Sequence, residues 1–201
     1  PYTINEGSGV TLNAGASTDA GGDALTYLWD LDNDGVYDDA AGVSPTVSWA
    51  TLKALGLASD GTALTVQVRV DDGEPGGVDY ANTTLTINNV APAANAGGPY
   101  MMAEGEDLLL DARASTDAGG DALTYGWDID GVPGYEAMGA TATIPWATIE
   151  ALGLASDGTL LAGQISLTVI DDVAADAATV TTGLTINNVA PTADAGGPYT
   201  I

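Results

Sequence analysis

The chain has 201 residues, with 28 Asp plus Glu against three Lys plus Arg and no His, Cys or Phe, giving a formal net charge of -25. That balance argues against nucleic acid or an anionic membrane as a partner, because binding phosphates takes clustered cations and only Lys53, Arg69 and Arg113 are present. Without His or Cys there is no Ser-His triad, no cysteine nucleophile, no zinc-finger-type site and no disulfide.

Hydrophobic residues make up 45% of the chain and mean hydropathy is +0.13, enough apolar material for packed cores in spite of the charge. No run approaches the ~18 apolar residues of a membrane span. Pro1 stands where a charged signal-peptide n-region would begin, so the chain reads as a piece of something longer.

In chain order, Val10 and Leu12 alternate with polar neighbours, as do Leu25, Tyr27, Trp29 and Leu31. A short helix is predicted over residues 49–55, with Ser48 as cap and Gly56 as stop. Val66, Val68 and Val70 then alternate with Thr65, Gln67 and Arg69, and Leu85 and Ile87 with Thr84 and Thr86. Period-2 patterns between Gly, Asp and Asn turns predict an antiparallel sandwich, with one face of each sheet buried.

The pattern then repeats. STDAGGDALTY at residues 17–27 returns unchanged at 115–125, ALGLASDGT at 54–62 returns at 151–159, and LTINNVAP at 85–92 returns at 184–191. AGGPY closes each unit, at 96–100 and at 195–199, and the PYTI of residues 1–4 returns at 198–201. Offsets of 97 to 99 place the length changes in loops. Predicted boundaries are residues 1–91 for the first repeat, 92–98 for a linker, and 99–190 for the second repeat. Residues 191–201 are predicted as a linker and the first strand of a further repeat. The second unit's strand positions are Leu108, Leu110, Leu123, Tyr125, Trp127, Ile129, Leu167, Val169, Leu184 and Ile186, and Pro145 suits the start of its helix over 146–152. A unit of this length fits one seven-stranded sandwich. It is small and has no disulfide, so a further source of stability is expected.

Residues 17–35, STDAGGDALTYLWDLDNDG, and residues 66–72, VQVRVDD, resemble the signature stretches of the PKD (polycystic kidney disease) domain, an Ig-like sandwich. Ala20 and Gly21 stand where that family has Pro-Asp, residues 31–35 replace its F-G-D-G stretch, and the short helix is additional. The resemblance implies an all-β chain of two tandem Ig-like antiparallel β-sandwiches, each with one short helix. It also implies extracellular or cell-surface modules that act as binders or spacers, without catalysis.

The sharpest local signal is the run Asp30-Leu-Asp32-Asn33-Asp34-Gly35-Val-Tyr-Asp38-Asp39. Alternating carboxylates before a turn glycine let several oxygens converge on calcium, which takes six to eight of them. The alternative is a solvated acidic turn. In the second unit Asp128 and Asp130 persist, Val132 and Pro133 replace Asp34 and Gly35, and Glu136 remains of the downstream acids.

A second constellation is similar to the cadherin linker, where a Glu, an Asp pair and linker residues hold calcium between domains. Its members are Asp71, Asp72, Asn88, Asn89 and Glu104, with Asp171, Asp172, Asn187 and Asn188 at the next boundary. Plain Asx-turn chemistry is the competing reading. A third group, Asp19 and Asp23 with Asp117 and Asp121, matches the acidic loop of the PKD family. Trp29, Trp127, Trp49 and Trp146 are expected in the cores rather than as sugar platforms.

Paired carboxylates could in principle hydrolyse glycosides, but these lie in adjacent-sequence loops repeated at a fixed period, which signals mechanics or avidity more than catalysis. The expected function is a calcium-stiffened structural extender of a secreted or surface protein. The alternatives are a carbohydrate- or protein-binding adhesion module and the unit of a self-assembling filament. Expected partners are neighbouring repeats and other copies in a fibre, without nucleic acid or membrane insertion.

Overall fold

The computed structural model describes residues 1–58, 61–155, 160–194 and 196–197. The chain divides into two compact units: unit 1 holds Pro1–Ala91 with Asp117–Asp121, and unit 2 holds Pro92–Thr116 with Ala122–Ile201. Unit 1 contains β1 (Tyr2–Asn5), β2 (Val10–Thr11), β3 (Thr26–Asp30), β4 (Ala40–Ala41), β5 (Thr46–Val47), α1 (Trp49–Ala54), β6 (Ala63–Asp71) and β7 (Val78–Asn88). One sheet runs β1-β7-β6-β3-β4 and the other pairs β2 with β5.

Unit 2 repeats the plan with β8 (Tyr100–Ala103), β9 (Leu108–Asp111), β10 (Thr124–Asp128), β11 (Ala137–Met138), β12 (Thr141–Ile144), α2 (Trp146–Ala151), β13 (Leu160–Ile170) and β14 (Ala178–Asn187). Its sheets are β11-β10-β13-β14-β8 and β12-β9. Each unit is thus a seven-stranded, all-β sandwich among the described residues, as its alternating pattern predicts.

The alternation works because successive strand side chains face opposite sides of the sheet. Val66 and Val68 are buried on β6, while Gln67 and Arg69, which alternate with them, are partly exposed. Trp29 lies opposite Val68, and Trp127 opposite Leu167, at the same place in the two ladders. Both indoles are buried, and each N–H finds a carbonyl at 2.9 Å: Trp29 donates to Gly42 O and Trp127 to Gly139 O. Leu12, Leu31, Leu85 and Ile87 close one core, and Leu110, Ile129, Ile165 and Ile186 the other. Trp49 and Trp146 are partly buried and pack against their units' cores.

The helices start for different reasons. Ser48 Oγ accepts from Thr51 N–H at 3.2 Å, and Gly56 at φ +74° ends the turn. At α2, Pro145 makes no side-chain cap, and Asp107 Oδ1 instead accepts from Trp146 N–H at 3.0 Å. Leu52 and Ile149 are the fully buried residues through which the two helices reach their cores.

Two features depart from the sequence reading. β1 pairs parallel with β7, Tyr2 opposite Leu85, and β8 pairs parallel with β14, Tyr100 opposite Leu184. Inside-outside alternation is the same for parallel and antiparallel neighbours, so it does not reveal strand direction. In addition, the stretch predicted as a linker, residues 92–98, contributes to unit 2: Ala96 is 3% exposed within the core, Ala94 packs against it, and Ala93 bridges to Thr116. The further repeat expected to begin at residues 198–201 lies outside the described residues.

Leu110 on β9 is 2% exposed. Leu110→Ala is expected to lower the stability of unit 2 by about 2–5 kcal/mol in denaturant unfolding; a loss below about 1 kcal/mol would mean that β9 is not packed as described.

Candidate metal centre

The acidic run after Trp29 folds back on itself. Asp30 is fully buried: Oδ1 accepts from Asn33 N–H at 2.6 Å and Oδ2 from Gly35 N–H at 3.0 Å. Asn33 at φ +60° and Gly35 at φ +89° make the reversal possible. Asp39 Oδ2 accepts from Leu31 N–H at 2.6 Å, tying the far end of the loop to its start. Oxygens of Asp30, Asp32 and Asp34 lie within 4.8 Å of one another, so three of the four predicted ligands of this run converge. Asp38 does not join them; the loop anchor is its neighbour Asp39. Burial raises the pKa of Asp32, and the charges of Asp39, Asp34 and Asp30 add to the effect.

In unit 2, Asp128 and Asp130 converge with Glu136 within the same 4.8 Å limit. Glu136 Oε2 accepts from Ile129 N–H at 2.8 Å, the position that Asp39 serves in unit 1. Asp128 Oδ1 accepts from Gly131 N–H at 2.7 Å, and Asp130 Oδ1 from Val132 N–H at 2.8 Å. The loop has lost the Asp34 equivalent and recruits the longer glutamate instead.

The third cluster, in unit 1, unites Asp117 and Asp121 with Glu6, which the sequence analysis did not single out. Glu6 is 5% exposed, and its Oε1 accepts from Val90 N–H at 2.7 Å. Asp117 Oδ1 accepts from the N–H groups of Gly120 and Asp121 at 2.8 and 3.1 Å, while its Oδ2 is buried without a hydrogen-bond partner. Gly119 leaves the carboxylates room, since a Cβ there would collide with Glu6 Oε2 and Asp121 Oδ2. Gly119 O accepts from Lys53 Nζ at 2.6 Å and from the Trp49 indole N–H at 3.1 Å. The signal for Glu6 was the repeat itself: the offset of 98 carries Glu104 back onto Glu6. Glu104 Oε2 accepts from Val189 N–H at 3.2 Å, just as Glu6 does from Val90.

The other candidate ligands are engaged separately, and among the described residues none joins a carboxylate cluster. Asp19 Oδ1 accepts from Asp23 N–H at 3.0 Å, and that bond leads the effects lowering its pKa. Asp71 is held low chiefly by Gly73 N–H and then by its ion pair with Arg69. Asp72 Oδ1 accepts from Glu74 N–H at 2.8 Å, and Asp171, 6% exposed, accepts from Val173 N–H at 2.7 Å. Asp172 is exposed. Asn88 Nδ2 donates to Asn5 Oδ1 at 3.3 Å, and Asn89 is half-buried after β7. Strand register places Ile170, not an acid, at the position of Asp71: Thr26 faces Asp71, whereas Thr124 faces Ile170. The aspartate pairs that look equivalent in sequence are therefore displaced by one residue.

The fit to a hard cation rests on the donor set. Each cluster offers three carboxylates, and at the third the buried Asp117 Oδ2 is an oxygen with no proton donor beside two further acids. Burial raises the Glu6 pKa to about 7 against the opposing Val90 N–H, with the Asp121 carboxyl and the Asp117 charge pushing the same way. An acid whose folded pKa lies above its unfolded value stabilises the fold below the unfolded pKa and loses that contribution as pH rises through the folded one. With divalent cations removed, unit 1 is expected to weaken between about pH 4.5 and pH 7. Glu6→Gln is expected to flatten that slope and to stabilise the protein at pH 8 by up to about 3 kcal/mol. Thermal unfolding across pH in EDTA reads both, and an unchanged slope would remove Glu6 as its source.

The family model of the PKD domain matches residues 89–143, spanning the end of the first repeat and the first half of the second. No curated protein matches the chain. Among solved structures, the N-terminal four Ig domains of Dscam1 isoform 6.9 match over 92% of this chain and 43% of their own length, at 13% identity and a TM-score of 0.50. The three N-terminal domains of the bacteriophage RB49 Highly Immunogenic Outer Capsid protein match over 92% and 56%, at 18% identity and a TM-score of 0.41. The chain thus spans about half the length of these solved structures, and the Dscam1 likeness concerns the fold alone. The chain is thus a tandem pair of Ig-like sandwiches, and residues 89–143 within it are similar to the PKD domain.

Proposed function

We propose that this chain is a non-catalytic, extracellular spacer, a piece of a tandem array that holds other modules at a distance and is stiffened by calcium. Tandem PKD-like and Ig-like units are consistent with a structural or adhesion module, and such domains are typically non-catalytic and extracellular. The observation that carries the calcium part is the convergence of three carboxylates at each of three places in a chain of net charge -25. Like charges so gathered repel, and a divalent cation would turn that repulsion into a cross-link. Asp30, Asp32 and Asp34 would hold one ion, Asp128, Asp130 and Glu136 a second, and Glu6, Asp117 and Asp121 a third. Bound calcium would fix these loops and supply the stability that a small, disulfide-free unit lacks.

A spacer rather than a ligand-binding module is favoured by where the aromatics lie. All four tryptophans are buried or packed on the cores. One tyrosine pair is on the surface of unit 1, Tyr37 and Tyr80 with ring centroids 5.4 Å apart, but at the place of Tyr80 in the ladder unit 2 has Thr179. A binding platform present in only one of the two repeats is poor support for avidity.

Thermal unfolding in excess calcium and again in EDTA tests the calcium reading. Calcium is expected to raise stability by a few kcal/mol when well above its dissociation constant, a shift of roughly 10 °C or more for units of this size. Asp30→Asn combined with Asp32→Asn is expected to reduce the shift. Superimposed wild-type curves would reduce the clusters to turn chemistry.

A further inference from the structure

Unit 1 carries a pair of contacting aromatic rings on its surface, Tyr37 and Tyr80, with centroids 5.4 Å apart and planes inclined at 53°. Tyr80 stands on β7 with 56% of its surface exposed, and Tyr37, half-buried, comes from the acidic loop. Among the described residues no other two rings are so paired. Tyr2, Tyr27, Tyr100 and Tyr125 pack against the cores instead.

Hydrogen bonds hold the first ring in place. The Tyr37 hydroxyl donates to Gln67 Oε1 at 2.9 Å, and Gln67 Nε2 donates to Asn33 Oδ1, so one residue of β6 fastens the ring to the loop that bears it. Gln67 lies two residues before Arg69, which faces Tyr80 across the ladder. Unit 2 shows what the loop tyrosine does without a partner. Tyr135, its counterpart at an offset of 98, lies against Gly126, where a Cβ would come within 2.7 Å of three of its ring atoms. In unit 1 Leu28 takes the place of Gly126, and unit 2 has Thr179 at the place of Tyr80. Two exchanges therefore separate a paired tyrosine from a solitary one.

Two phenols in contact are a site for oxidative coupling. Loss of one electron and one proton turns a phenol into a phenoxyl radical, with unpaired density on the carbons ortho to its oxygen. We propose that Tyr37 and Tyr80 are a modification site, joined Cε to Cε as a dityrosine that staples unit 1 when hydrogen peroxide and a haem peroxidase act on the folded chain. The carbon–carbon bond forms between the two radicals, and the hydrogens displaced from those carbons return to the two oxygens. In all the chain loses two hydrogens, and one hydrogen peroxide takes up the two electrons and two protons to become two waters. Contact makes the coupling effectively unimolecular, while a net charge of -25 keeps separate copies apart. The bond closes a loop of about 40 residues and ties the acidic loop to β7, a covalent constraint on a unit without cysteine. It goes beyond the spacer reading and does not involve calcium.

The test treats the dilute 201-residue chain, in EDTA, with a haem peroxidase and hydrogen peroxide. A monomer lighter by two hydrogens is expected, with dityrosine fluorescence and a cross-linked peptide pair that contains Tyr37 and Tyr80. Tyr80→Phe removes only a hydroxyl that makes no hydrogen bond among the described residues, and it is expected to abolish this product, whereas Tyr135→Phe is expected to leave it. The purified cross-linked chain is expected to unfold roughly 10 °C above the untreated one. Four results would each overturn the proposal: no intramolecular product, cross-links that map to other tyrosines, an equal yield of the Tyr37–Tyr80 product from the chain unfolded in urea, or an unshifted unfolding transition. The comparison of calcium with EDTA described above is read on untreated chain, so its outcome is separate from these.

Discussion

One buried indole in each unit sets the geometry on which everything else rests. Trp29 and Trp127 lie in the strands that lead into the acidic loops, and each donates its N–H to the carbonyl of a glycine just after the edge strand that follows the loop. A tryptophan needs a large apolar enclosure and a partner for its one polar atom. Meeting both demands fixes the strand, the position of the returning chain and the point where the loop must close. The Trp backbone continues the constraint, since Trp29 O accepts from Asp39 N–H and Trp127 O from Glu136 N–H. Two of the three carboxylate clusters, Asp30/Asp32/Asp34 and Asp128/Asp130/Glu136, are the contents of such a loop, whose ends are already held by the core.

That arrangement explains how so acidic a chain folds. Burying a carboxylate is costly unless donors meet it. Asp30, fully buried, is met by two backbone N–H groups of its own loop, so the local chain supplies the solvation that water gave up. Glu6 receives less: one backbone N–H from Val90, with two acids as its other neighbours, which is why its pKa is displaced so far. The contrast separates a carboxylate that organises a turn from one that is left wanting a positive charge.

Repetition makes the second unit a natural control on the first. Glu136 substitutes for Asp39 with one extra methylene, and Asp107 replaces the serine cap of the first helix by bonding Trp146 N–H. Such exchanges keep the role and change the residue, so motif matching alone passes over them. Asp38 was expected to join the first cluster because it continues the acidic run, yet the residue that anchors the loop is Asp39. Glu6 lies too far from the other acids in sequence to read as part of any motif, although its counterpart Glu104 was singled out. What joins Glu6 to Asp117 and Asp121 is chain reversal over more than a hundred residues, a tertiary event that local spacing does not encode.

The sequence by itself determined the fold class, the two-fold repetition, the buried tryptophans, the helix position and the acidic run from Asp30 to Asp34. These follow from period-2 alternation, turn residues and self-similarity, all of which are local or comparative properties. Tertiary structure alone decided the parallel seating of β1 and β8, because alternation is blind to strand direction. It also decided that Ala96, within the stretch read as a linker, belongs to the core of unit 2. Ala-Asn-Ala-Gly-Gly has the composition of a flexible connector, and only the surface it meets seats Ala96 in the core. Small side chains read as flexibility in a sequence and as close approach in a fold, and which of the two holds depends on whether a partner surface lies within reach.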